Sequence, residues 1–109
     1  MATPGYDSKE ELWVAIALTQ LKIPFTYQYE VRGGSRYRGG FIIDFVVENP
    51  FETPLEVFGE HWHSGQLGSD DKWRLAILRQ MFGREPIVLW GSELQDPQQA
   101  MQAVQAKVL

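Results

Sequence analysis

The chain has 109 residues, 44% of them apolar, no cysteine, and a formal net charge of -4. That length allows one domain, 1–109, with a single core; the missing cysteines exclude disulfides and thiolate zinc sites, and no apolar run is long enough to span a bilayer. No basic-then-apolar leader opens the sequence, so it reads as a soluble, cytoplasmic protein with no membrane partner. The acidic balance argues against a nucleic-acid binder that works by charge alone. It leaves room for a nuclease, whose metal-holding acids weigh on the same total.

In chain order, Asp7-Ser8-Lys9-Glu10-Glu11 is a helix start, with Asp7 or Ser8 as cap and acids in the first turn. Leu12, Trp13, Ile16 and Leu18 to Leu21 follow at mostly helical spacing until Pro24 stops the helix. Phe25 to Arg32 alternates and is rich in aromatic and β-branched residues, which predicts a strand. Phe41 to Glu48 is apolar on both faces, as a covered central strand would be. After turns at Asn49-Pro50 and Thr53-Pro54 comes a third strand, Leu55 to Phe58. Glu60 to Ser69 reads as loop. A helix from about Asp70 to Phe82 shows Trp73, Ile77, Leu78 and Met81 on one side, and Gly83 ends it. Pro86 to Trp90 is a fourth strand. Asp96-Pro97 opens a last helix, with Pro at its first position and a stripe of Ala100, Met101, Val104 and Val108. The order αβββαβα predicts an α/β sandwich.

The chemistry sits in acids and histidines placed against this pattern. Asp44 interrupts an apolar strand, and by alternation shares a face with Ile42 and Val46. Glu56 interrupts the next strand. An ionised carboxylate there is costly unless it is paired or binds a metal. Hard divalent cations take carboxylate oxygens, and neighbouring strands lie about 4.8 Å apart, so both acids can reach one ion. The plainer alternatives are Asp44 paired with an arginine such as Arg74, and Glu56 solvated on an edge strand, which Pro54 would suit. His61 and His63 are two apart, suited to a transition metal as a pair or to a general base singly. Asp70 and Asp71 fit a helix's first turn by the dipole alone. The glycine-flanked segment Arg32 to Gly40 carries Arg32, Arg36, Arg38 and Tyr37, suited to phosphate contact and stacking, or simply to a solvated hairpin tip.

Asp44 in Ile-Ile-Asp-Phe-Val-Val, then Glu56-Val57-Phe58-Gly59, Trp62-His63 and Asp71-Lys72-Trp73-Arg74, ahead of a Val-Leu-Trp strand, resembles the PD-(D/E)XK nuclease superfamily. Within it the chain is most similar to very-short-patch repair endonucleases and EDxHD homing endonucleases. The likeness runs from about Glu11 to Leu94. It implies a central mixed four-stranded sheet flanked by helices, and a DNA endonuclease using magnesium or manganese. On this likeness Asp44 is the central metal ligand, Glu11 orients water around the ion, His63 is the base, and Asp71 orients the histidine or a water. Glu56 falls at the superfamily's second acid, with the Val57 carbonyl as a further metal contact. Arg32, Arg36, Arg38, Lys72 and Arg79 would hold DNA. The superfamily lysine two residues past Glu56 is replaced by Phe58 here, a lysine that the histidine-using branch also lacks, and the cysteine zinc site of the repair enzymes is absent.

The function expected is therefore Mg2+-dependent phosphodiester hydrolysis on DNA, with a homodimer as one way for a single-site chain to cut both strands. Two rivals come from other classes. One is a non-catalytic nucleic-acid- or protein-binding module on a nuclease fold. The other is a transition-metal domain built on His61 and His63.

Overall fold

The computed structural model describes residues 6–31, 41–59 and 69–109. The elements follow the predicted order: α1 (Lys9–Gln20), β1 (Phe25–Val31), β2 (Phe41–Glu48), β3 (Glu52–Phe58), α2 (Ser69–Phe82), β4 (Ile87–Trp90) and α3 (Pro97–Val108), with a 3-10 turn at Gly91–Glu93. The sheet order is β1-β2-β3-β4. β1 and β2 are antiparallel, as are β2 and β3, while β3 and β4 run parallel through the α2 crossover. Among the described residues no helix is long and apolar enough to cross a membrane.

Local chemistry explains the helix ends. The Ser8 hydroxyl caps α1 by accepting the Glu11 N–H at 3.2 Å, while Asp7 instead accepts from Gln28 Nε2 at 2.6 Å. At the other end Ile23 N–H donates to the Leu18 carbonyl and Lys22 N–H to the Thr19 carbonyl, a Schellman closure that puts Lys22 in the left-handed region at φ +59°. Pro24 follows rather than causes that stop. A side chain is strained there, so Lys22→Gly is expected to raise stability by about 0.5–1 kcal/mol, read as a few degrees in Tm. Asp96 caps α3 by accepting the Gln99 N–H at 2.8 Å, with Pro97 in the first turn.

α1 and α3 cover one face of the sheet, closing a core around Val14, Leu18, Phe45, Val47, Leu55, Leu89 and Val104. α2 covers the other, where Leu78 packs on Ile43 and Val46 with Leu75 and Phe82 beside it. Trp73 and Met81, expected on that apolar side, are instead 60% and 44% exposed. A single helix meets this face along the ridge Leu75, Leu78 and Phe82, and the neighbouring ridge through Trp73 and Met81 turns outward.

Two departures position the site. β3 begins at Glu52 rather than Leu55, and it is central, between β2 and β4. Pro54 is tolerated because pairing with β4 starts only at Leu55, so at Pro54 the strand pairs with β2 alone. The strict alternation of β2 also fails. Ile43 packs with Val46 under α2, yet Phe45 and Val47 belong to the opposite core. The alternation slips by one between Ile43 and Phe45, at Asp44, so Asp44 does not simply share a face with Ile42 and Val46.

Candidate active site

The sheet parts at Asp44. On the β3 side the ladder runs from Glu48↔Glu52 to Phe45↔Leu55 and stops. Side chains then take over from main-chain pairing: Asp44 N–H donates to Glu56 Oε2 at 3.0 Å, and Val57 N–H donates to Asp44 Oδ2 at 2.8 Å. β3 meanwhile stays paired to β4 through Phe58↔Trp90. On the β1 side the register skips the position where Gln28 faces Asp44, and Gln28 adopts φ +55°. The result is a fork with an acid on each arm.

Glu56 is 1% exposed and is a buried charged residue in the middle of the sheet. Its Oε1 accepts from Arg74 Nε, so both of its oxygens are engaged. Arg74 Nη2 also donates to the Ile42 carbonyl. The solvated edge-strand alternative for Glu56 does not hold, and Arg74 pairs with Glu56 rather than with Asp44.

Asp44 is the more open acid. Oδ2 is pinned by Val57, and among the described residues Oδ1 accepts no hydrogen bond while no buried side-chain oxygen is left unpartnered. Oδ1 is therefore unheld and not fully sealed from solvent by the described residues. Burial is the largest cause pushing the Asp44 carboxyl up to about 8; the nearby Glu56 charge and, further off, Glu11 add to it, against the opposing Val57 N–H. Glu11, on α1, accepts from the Tyr27 hydroxyl at 2.6 Å, and that hydroxyl also accepts the Asp7 N–H at 2.9 Å. Partial burial, with smaller contributions from Asp7 and Glu56, raises the Glu11 carboxyl above its usual range despite the Tyr27 bond. Glu11 stands third in a Ser-x-x-Glu capping sequence, yet its carboxylate is held toward the sheet. Tyr27, missed in the sequence, orients it; an aromatic on an alternating strand carries no sign of such a role.

The other expected residues fall variously. Asp71 is half-buried on α2, three residues before Arg74 and so on the same side of the helix. Lys72 is exposed. Arg79 pairs with Glu85 at 2.6 Å, both side chains more than half exposed, a contact of little energetic weight. His61, His63, Arg32, Arg36 and Arg38 lie outside the described residues, as does the side chain of Asp70.

Among the described residues no three His, Asp or Glu side chains form a ready metal cage. The donor set still fits one hard cation. Magnesium is commonly held through one or two carboxylates, with waters and substrate phosphate completing its shell. Here one carboxylate oxygen of Asp44 stands where burial, and after it the nearby carboxylates, make a negative charge costly, an electrostatic deficit that a divalent cation offsets.

No protein-family model matches this chain, and no curated protein matches it. Among solved structures it is similar to the catalytic domain of the homing endonuclease I-Bth0305I, with a TM-score of 0.60 and 24% identity over 88% of this chain and 89% of that one. The α-helices and four-stranded mixed sheet described above thus form the same fold as that homing endonuclease domain.

Proposed function

We propose that this domain is a metal-dependent DNA endonuclease. The observation that carries the reading is the acidic fork: two strands separate at Asp44, leaving one carboxylate oxygen open beside Glu56 and near Glu11. A fold shared with a homing endonuclease catalytic domain supports the same chemistry. Bound magnesium or manganese would supply Lewis-acid polarisation of the scissile phosphate and charge stabilisation on the leaving oxygen. Asp44 is assigned as the residue that holds the ion, with the Val57 carbonyl as the adjacent main-chain donor. Glu11, fixed by Tyr27, orients the attacking water. His63 takes the water's proton, since imidazole titrates near neutral pH, and Asp71 orients that histidine. Lys72 and Arg79, with Arg32, Arg36 and Arg38, are assigned to the DNA backbone.

The test is cleavage of supercoiled plasmid with magnesium, manganese or chelator, beside a His63→Ala variant. Metal-dependent nicking or linearisation is expected from the wild type, with a loss of about a hundredfold or more in the variant at unchanged fold, the usual contribution of general-base catalysis. Full activity in His63→Ala would remove that residue's role.

One observation favours a second reading. Phe58, where the superfamily carries a lysine, is buried and packs its ring against Trp90 at 5.5 Å. A binding module on the same fold would show salt-dependent DNA affinity with no response to magnesium and no cleavage.

A further inference from the structure

We propose that Arg74 is a staple across the two arms of the forked sheet and that Glu56 is its buried counter-ion, the pair acting as positioning residues that aim Asp44 rather than as metal ligand and bystander. The inference rests on the fork serving as the metal site, but its structural half is tested without that premise.

Three observations lead there. Past Phe45↔Leu55 the two strands no longer pair. Side-chain bonds to the main chain stand in the opened stretch instead: Asp44 N–H to Glu56, Val57 N–H to Asp44, and the Ile42 carbonyl to Arg74. Arg74 comes from α2, outside both arms, and bonds to each of them, through Nε to Glu56 on β3 and through Nη2 to Ile42 on β2. The planar guanidinium presents donors in fixed directions, which a lysine ammonium cannot reproduce for two acceptors on separate strands.

Glu56 is poorly suited to metal binding. It is sealed from solvent, one oxygen is held by Arg74, and the other receives the Asp44 amide. A cation arriving at Glu56 would have to displace the Asp44 amide or approach the guanidinium charge. The same bonds explain why Asp44 is well suited. Glu56 holds the Asp44 main chain, the adjacent Val57 amide holds Oδ2, and Oδ1 is left unheld by the described residues. Loosening Arg74 would free Glu56, then the Asp44 amide, and so the direction of the ligand oxygen.

The two roles for Glu56 predict opposite signs. If Glu56 is a ligand, weakening its tie to Arg74 leaves metal affinity unchanged or tighter. If the pair is a staple, Arg74→Lys weakens it. Arg74→Lys keeps a positive charge beside Glu56 and so preserves the fold. Glu56→Gln and the double variant complete a cycle. We would measure Mn2+ affinity by the spin-resonance signal of the free ion, and amide hydrogen exchange at Asp44 and Val57 against Leu18 and Leu89 in the core. The expected result is a loss of about tenfold in Mn2+ affinity in Arg74→Lys, the scale of an outer-shell contact. The double variant should be no worse than the weaker single variant. Exchange at Asp44 and Val57 should rise about tenfold with Leu18 and Leu89 unchanged, as a local opening requires. Unchanged or tighter Mn2+ binding, or unchanged exchange at Asp44 and Val57, overturns the staple. A wild type that binds no Mn2+ and cuts no DNA overturns the nuclease reading instead, and the exchange measurement still decides whether Arg74 holds the fork.

Discussion

Asp44→Asn is expected to abolish metal-dependent DNA cleavage while leaving a folded protein that is more stable than the wild type at pH 8 without metal. The substitution keeps the shape of the side chain. An amide oxygen can still accept the Val57 N–H, which Asp44 Oδ2 accepts at 2.8 Å. What it removes is the charge, and with it the anionic oxygen a hard cation requires. The Lewis-acid contribution is worth several kcal/mol of transition-state stabilisation, so activity should fall by about a thousandfold or more. The stability gain has the same origin: a neutral amide avoids the cost of burying a charge, the largest cause of the raised Asp44 carboxyl, and then the repulsion with Glu56 and Glu11 that the carboxylate feels. Plasmid cleavage and urea unfolding of the same two proteins check both halves. Wild-type cleavage by Asp44→Asn would sink the metal-site assignment.

The stability of the metal-free protein should depend on pH in a direction set by the same carboxylate. Burial and neighbouring charge raise Asp44 from an ordinary 3.8 to about 8 in the folded state. Between those values the folded protein holds a proton that the unfolded chain has lost. Stability from this group is therefore fully present below about pH 4 and declines as pH rises through 8, by a few kcal/mol in all. Glu11, raised in the same direction, adds to the decline. Subtracting the curve of Asp44→Asn isolates the Asp44 share from the rest of the chain. Magnesium competes with the proton, so its binding should strengthen up to about pH 8, and the rise in Tm on adding it should be larger at pH 8 than at pH 5. A wild-type minus Asp44→Asn difference that stays flat from pH 4 to 8 would sink this account.

How far the chain could be read follows from the range of each interaction. The ends of α1 and α3 were legible because caps are local: Ser8 meets Glu11 and Asp96 meets Gln99 within one turn. The element order was legible because periodicity and turn residues are local too, and the apolar character of β2 on both faces announced a covered central strand. Asp44 and Glu56 stood out because an acid inside an apolar strand demands a partner. Their partners were another matter. Arg74 lies 18 residues beyond Glu56 and comes to it only because the α2 crossover lays the helix over β3. Tyr27 finds Glu11 across 16 residues because α1 packs on the sheet. The slip in β2 at Asp44, and with it the open position of Oδ1, belongs to the sheet as a whole: it arises where β3 leaves β2 to pair with β4. By itself the sequence determined the elements, their order and the acids that cost energy to bury, since each rests on neighbours along the chain. Only the tertiary structure decided which of those acids is locked to an arginine and which is left open, because a buried charge takes its partner from whatever the packing brings within hydrogen-bond reach.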